Sequence, residues 1–201
     1  MPHVKDAHPA HPIEPQLAKR WSPYSFADKD IANDDLLAIL EAARWAPSSY
    51  NEQPWRYILA RRSHPAAFEK LLSCLVEANQ VWAKKAPVLL VSVAMLTFAR
   101  NGNPNKAAQH DLGLAAGNMS VEATARGLFV HQMVGIVPER VRALYALPEG
   151  ADPLTAIAIG YLGDGSDLPE ELQARDRTLR SRRPLSEFVF ENVWNEPLQA
   201  D

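Results

Sequence analysis

The longest apolar run in the chain is APVLLVSVAML, Ala86 to Leu96. It falls well short of the ~20 residues that a bilayer-spanning helix needs, and suits a strand buried on both faces. LTAIAIGYLG, residues 154–163, reads as another buried strand. Around these runs the 201-residue chain is 47% hydrophobic and 22% charged, an ordinary globular composition. A chain this long buries roughly 70% of its extended surface, and one domain is expected. The formal net charge of -3 gives no reason to expect nucleic acid as a partner. A single cysteine, Cys74, leaves no intrachain disulfide and no multi-cysteine zinc site. Its surroundings, FEKLLSCLVEAN, predict a buried thiol on a helix. The start, MPHVKDAHPAHPIEP, lacks the apolar core of a signal peptide. Residues 1–14 are therefore expected to be a mobile lead-in with His3, His8 and His11 solvated. The expected setting is cytoplasmic, with no membrane partner.

Helix and strand signals alternate after the lead-in. NDDLLAILEAAR (33–44) has a capping residue in Asn33, two acids at its positive end and an apolar stripe. WRYILAR then reads as a strand and PAAFEKLLSCLVEAN as one helix. Residues 107–126 form a long helix rich in Ala and Gly, suited to close backbone packing at the centre or at a dimer interface. Gly127 stands where a C-terminal cap is expected. LFVHQM is a short strand, and Pro138 opens the helix PERVRALYAL. The tail RSRRPLSEFVFENVWNEP carries Phe188, Phe190 and Trp194, too much apolar surface to leave in water.

Several chemistries are unsupported. GxGxxG, GxxxxGK[ST], GxSxG and HExxH do not occur. GDGSD (163–167) follows a strand but is acidic, and reads as a turn. His110 and Asp111 are neighbours on a helix, so they are expected to face different ways. Two basic stretches, KRWS (19–22) and RSRR (180–183), share arginine forks and a serine hydroxyl, donors suited to a phosphate monoester. AARWAPSSYNEQPWRYI (42–58) places short polar side chains on a proline-stiffened link between helix and strand. Such a turn either satisfies its own backbone or offers donors and acceptors to a planar heterocycle, and both readings stay open.

RWSPYSF (20–26), AARWAPSSYNEQPWRYI, GLFVHQMVGI (127–136) and RSRRPL (180–185) together resemble the nitroreductase family of FMN-dependent oxidoreductases, in family order and over about residues 14–194. The resemblance implies an α+β, three-layer α/β/α fold with a mostly antiparallel central sheet. It also implies an intertwined homodimer over residues 15–201, whose C-terminal arm wraps the partner. Arg20, Ser22, Arg180 and Arg182 would hold the FMN phosphate, with Trp21 between the first two. Tyr24, in the same block, stands where many members carry a basic residue, and Lys19 would compensate. Pro47, Ser48, Ser49, Asn51 and Gln53 would reach the flavin of the opposite subunit, and Asn79 would meet its pyrimidine side. Gln132, Met133, Val134 and Gly135 would lie against the ring.

The activity implied is ping-pong reduction of an electron-poor acceptor, a nitroaromatic or quinone, by NAD(P)H through FMN. No catalytic side chain and no metal are implied. The alternatives are another flavin reaction, such as dehydrogenation or reductive dehalogenation, and flavin binding without turnover. The stretch Leu96–Gln109 is short, where several members carry helices over the substrate pocket.

Overall fold

A computed structural model of the protein describes residues 3–199. Its centre is a four-stranded antiparallel sheet in the order β1-β2-β4-β3, with β1 at Trp55–Arg61, β2 at Val88–Met95, β3 at Phe129–Met133 and β4 at Ala151–Gly160. Alternate residues of β2 divide the core between two faces, as the two-residue period of a strand requires. Leu89, Val91 and Val93 join one buried cluster, and Val88, Leu90 and Ala94 join the other. The first cluster takes its cover from α3 (Pro65–Leu72), α4 (Glu77–Ala83) and α6 (Pro138–Tyr145). The second takes it from α2 (Asn33–Arg44) and α5 (Ala108–Ala125). The result is the α/β/α layering that the resemblance implies.

Three local expectations differ from the structure. Ala32, and not Asn33, occupies the cap of α2, and the Asn33 side chain accepts a bond from Arg61 at 2.7 Å. The single helix expected over PAAFEKLLSCLVEAN is broken after Leu72. There the Val137 N–H donates to the Cys74 carbonyl at 2.7 Å, and the Val76 N–H to the Gly135 carbonyl at 3.0 Å. A sheet-like bridge between Leu75 and Ile136 thus takes the backbone that a helix would use. Cys74 is buried as expected, at that break rather than within a helix. Finally, β4 starts at Ala151 rather than 154 and tolerates Pro153 because the register shifts beside it.

The ends of the chain frame the sheet. α1 (Pro15–Lys19) packs beside α5, and α7 (Glu170–Arg177) precedes an extended arm. On that arm Phe188 and Trp194 are exposed, and the Phe190 and Trp194 rings lie 4.9 Å apart. One face of α5 is bare: Gly113 and Gly117 have no atom within 4 Å of where a β-carbon would stand, and Leu114 beside them is exposed. No helix among the described residues is long and apolar enough to cross a membrane.

Candidate functional site

The first wall grows from the RWSPYSF block, which follows α1 and crosses the edge strand β3. Trp21 is buried, its ring edge-on to Phe129 at 5.8 Å. This anchors Arg20 and the exposed Ser22 on either side. From the far end of the chain, the Arg180 guanidinium donates to the carbonyls of Ala18 and Arg20. Arg20, Arg180 and Arg182 therefore converge, although 160 residues separate the first two. Burial lowers the pKa of Arg180, and the charges of Arg20 and Arg182 lower it further; burial and then Arg182 do the same to Arg20. Among the described residues none of the three forms a salt bridge, and the Arg180 Nε is buried with no partner. Crowded guanidiniums with an unused buried N–H make an anion site by their donor chemistry.

Tyr24 contributes differently. Its N–H donates to the Asp176 carboxylate, its hydroxyl lies 3.4 Å from Arg175, and its ring packs edge-on to Trp82 and His131. His131 donates from Nδ1 to the Pro23 carbonyl at 2.8 Å, a tautomer fixed by the carbonyl's inability to donate. Burial pushes the His131 pKa down, against the raising effect of that bond. Lys19 is exposed, so nothing in its surroundings marks it as a substitute donor for the missing base.

Beyond β3 the chain turns through Val134 and Gly135. Met133 is buried, Gln132 is exposed with its amide 3.4 Å from Ser120 Oγ of α5, and Val134 is 82% exposed. Asn79 of α4 donates to the Gly135 carbonyl at 3.0 Å. Asn79 and Gly135, distant in sequence, thus form one edge, and the Asn79 amide is already partly committed to it.

The turn that links α2 to β1 stands apart. No hydrogen bond among the described residues joins it to the arginines or to Asn79. The turn satisfies part of its own backbone. Ser48 Oγ accepts from the Gln53 N–H at 3.0 Å, and the Gln53 amide donates to the Asn51 carbonyl at 3.1 Å. No hydrogen bond ties the Ser49 hydroxyl or the Asn51 amide to another described residue. Tyr50, Asn51 and Gln53 hold φ values of +53°, +56° and +53°, a region that favours glycine. Two acids brace this strained turn. The Ser49 N–H donates to Asp111 at 2.9 Å, and Glu52 accepts from the Ala99 N–H at 2.7 Å. Pro47 is exposed at the start of the turn. Tyr50 projects into water beside Phe98, at 5.8 Å between rings, with the Arg100 guanidinium 4.6 Å from the Tyr50 ring centre.

Asp111 was not among the site residues expected from sequence. Its signal was an acid in an otherwise apolar helical stripe, and it is 2% exposed. The expected separation of His110 and Asp111 also needs correction: His110 Nδ1 lies 3.2 Å from the Asp111 carboxylate. Adjacent helical positions point about 100° apart, but the histidine side chain is long enough to fold back near the helix start. Among the described residues no group of His, Cys, Asp and Glu could hold a metal.

The chain is similar in sequence and fold to known proteins. The profile of the nitroreductase family matches residues 17–161. A solved oxidoreductase structure containing FMN superposes with a TM-score of 0.88 at 32% identity, over 98% of this chain and 100% of that one. An NADH dehydrogenase of Thermus thermophilus is 32% identical over 165 residues, covering 66% of this chain and 78% of its own. An NAD(P)H-dependent FMN reductase of Bacillus subtilis is 27% identical over 193 residues, covering 82% of this chain and 73% of its own. With the profile spanning the first arginine block, the strained turn and all four strands, the chain belongs to the nitroreductase family.

Proposed function

We propose that the protein is an FMN-dependent NAD(P)H oxidoreductase that reduces an electron-poor acceptor, a nitroaromatic or a quinone. The observation that carries this reading is the convergence of Arg20, Arg180 and Arg182 with a buried, unpaired Arg180 N–H. That set fits the dianionic phosphate of FMN, and Ser22 adds a hydroxyl at its rim. Gln132 to Gly135 form the shelf for the ring, and Asn79 fixes the shelf's edge through Gly135.

FMN held by these residues would supply the redox chemistry between the nicotinamide and the acceptor, which would visit in turn in a ping-pong scheme. The chain's own part is orientation and exclusion of water. No side chain is assigned as acid or base. The turn from Pro47 to Gln53 serves a second copy of the chain: with its Ser49 and Asn51 side chains unspent, it reaches the flavin held by the partner. The bare stripe of α5 and the apolar arm support the homodimer that this requires. Tyr50, edge-on to Phe98 and covered by the Arg100 guanidinium, then offers an aromatic and cationic rim for the acceptor.

The test is a visible spectrum of the purified protein, followed by NADPH and then NADH without oxygen. A yellow protein that bleaches with either donor and recovers on adding a quinone is the expected result. A yellow protein that neither donor bleaches would sink the reductase reading. A colourless one that takes up no FMN would sink the cofactor.

A further inference from the structure

The residues ahead of the family-matched region are engaged with the phosphate wall. The His3 imidazole stacks on the Trp21 indole, 5.2 Å between centroids and 20° between planes. Lys5 is 8% exposed; its Nζ donates to the Arg175 carbonyl at 2.6 Å and lies 5.5 Å from the Trp21 ring centre. Asp6 accepts from the His3 N–H at 2.9 Å, which closes a tight turn between them. The Ala7 N–H donates to Ala18 at 2.9 Å, the same carbonyl that the Arg180 guanidinium holds. Strap and arginine cluster therefore share one anchor on α1.

A buried lysine in this position calls for an account. A lysine stem can lie along a tryptophan without surrendering its ammonium to the interior. Here the ammonium is taken in, although a single carbonyl receives it. Its burial lowers its pKa, the Asp176 carboxylate opposes that shift, and Arg180 adds to it. Asp6 acts on Arg180 with the opposite sign to that of the neighbouring arginines. The strap thus brings one charge of each sign to the anchor it shares with Arg180, and the lysine is the more buried of the two.

We propose that residues 3–7 form a charged strap that tunes the phosphate site: Lys5 is a fourth cation that strengthens binding of a phosphomonoester, and Asp6 is a counter-charge that weakens it. The inference rests on the FMN reading above. It gives the lead-in a role in cofactor affinity, with Lys5 and Asp6 acting through the field at the arginines and His3 holding the strap on Trp21. Loss of the Lys5 charge would also remove a cation that acts on Asp176, which further disfavours an anion nearby.

Riboflavin separates a charge effect from a structural one, since it carries the same ring and ribityl chain without the phosphate. The experiment titrates flavin-free protein with FMN and with riboflavin, following flavin fluorescence, for wild type, Lys5→Met and Asp6→Asn. Expected are FMN binding weakened about fivefold by Lys5→Met and tightened about twofold by Asp6→Asn. Riboflavin binding should be unchanged in both, and 0.5 M salt should shrink the differences. Equal shifts for the two flavins would mean that the strap acts through packing alone and would overturn the proposal. So would FMN affinities indistinguishable from wild type in both variants. Riboflavin binding and circular dichroism report whether Lys5→Met is folded, and Asp6→Asn keeps the test open if it is not. A wild-type protein that binds neither flavin would defeat the FMN reading itself, a different failure from a wild type that binds FMN with no response to the strap.

Discussion

A β-carbon at Gly135 would lie 2.4 Å from the Asn79 amide nitrogen and 2.9 Å from Val76 Cγ2. Gly135→Ala must therefore displace the Asn79 amide, which breaks its bond to the Gly135 carbonyl, and crowd Val76. The expected cost is about 1–3 kcal/mol, a drop of roughly 3–10 °C in the melting midpoint, with weaker retention of flavin. Differential scanning calorimetry with and without FMN measures both. His131 makes a pH-dependent contribution. In the unfolded chain its imidazole binds a proton near pH 6.5, whereas burial in the folded chain disfavours that proton. The stability it confers is present above that pH and is lost as the pH falls through the lower folded value. The melting midpoint should thus fall further between pH 7.5 and 5.5 in wild type than in His131→Asn, whose Nδ2 stands where the imidazole Nδ1 does and can still donate to Pro23. Parallel curves for the two proteins would show that His131 carries no such linkage.

At the scale of elements, the bare face of α5 makes a contrast that one position can test. In an isolated subunit, Gly117→Ala fills open space and raises helix propensity by up to about 1 kcal/mol. Gly117→Leu would keep a second helix from packing closely there. Analytical ultracentrifugation should find wild type dimeric and Gly117→Leu shifted toward monomer; an unshifted Gly117→Leu would move the proposed interface elsewhere. The strands and α5 were legible because their signals are local: period, apolar run, terminal glycine. The break between α3 and α4 was not, because nothing in FEKLLSCLVEAN announces that residues 135–137 will claim its backbone. Pro153 misled in the opposite sense, hiding the first residues of β4 behind a turn-like ADP. The arginine convergence followed from resemblance rather than from spacing. The bracing of the turn by Asp111 and Glu52 depends on loops that only the folded chain brings together.

For the whole molecule, the arm beyond the arginine cluster is separable in principle from the phosphate wall. Exposed Phe188, Val193 and Trp194 have no cover of their own. A chain ending at Arg183 retains Arg20, Arg180 and Arg182, so FMN should still bind, while the dimer dissociates at higher concentration than the full chain does. Size-exclusion chromatography with light scattering reads the second effect and fluorescence titration the first. A truncated chain as dimeric as the full one would assign the arm no part in assembly. The strained turn carries its own consequence for how such a protein can change. Each non-glycine residue held at positive φ gives up about 1 kcal/mol of stability. Selection for heat resistance alone should therefore recruit glycine at Tyr50 and Gln53, where relief is greatest and the fold loses little. Lineages hardened in that way would melt roughly 4–8 °C higher and turn over slowly, having traded away the stiffness that aims the turn.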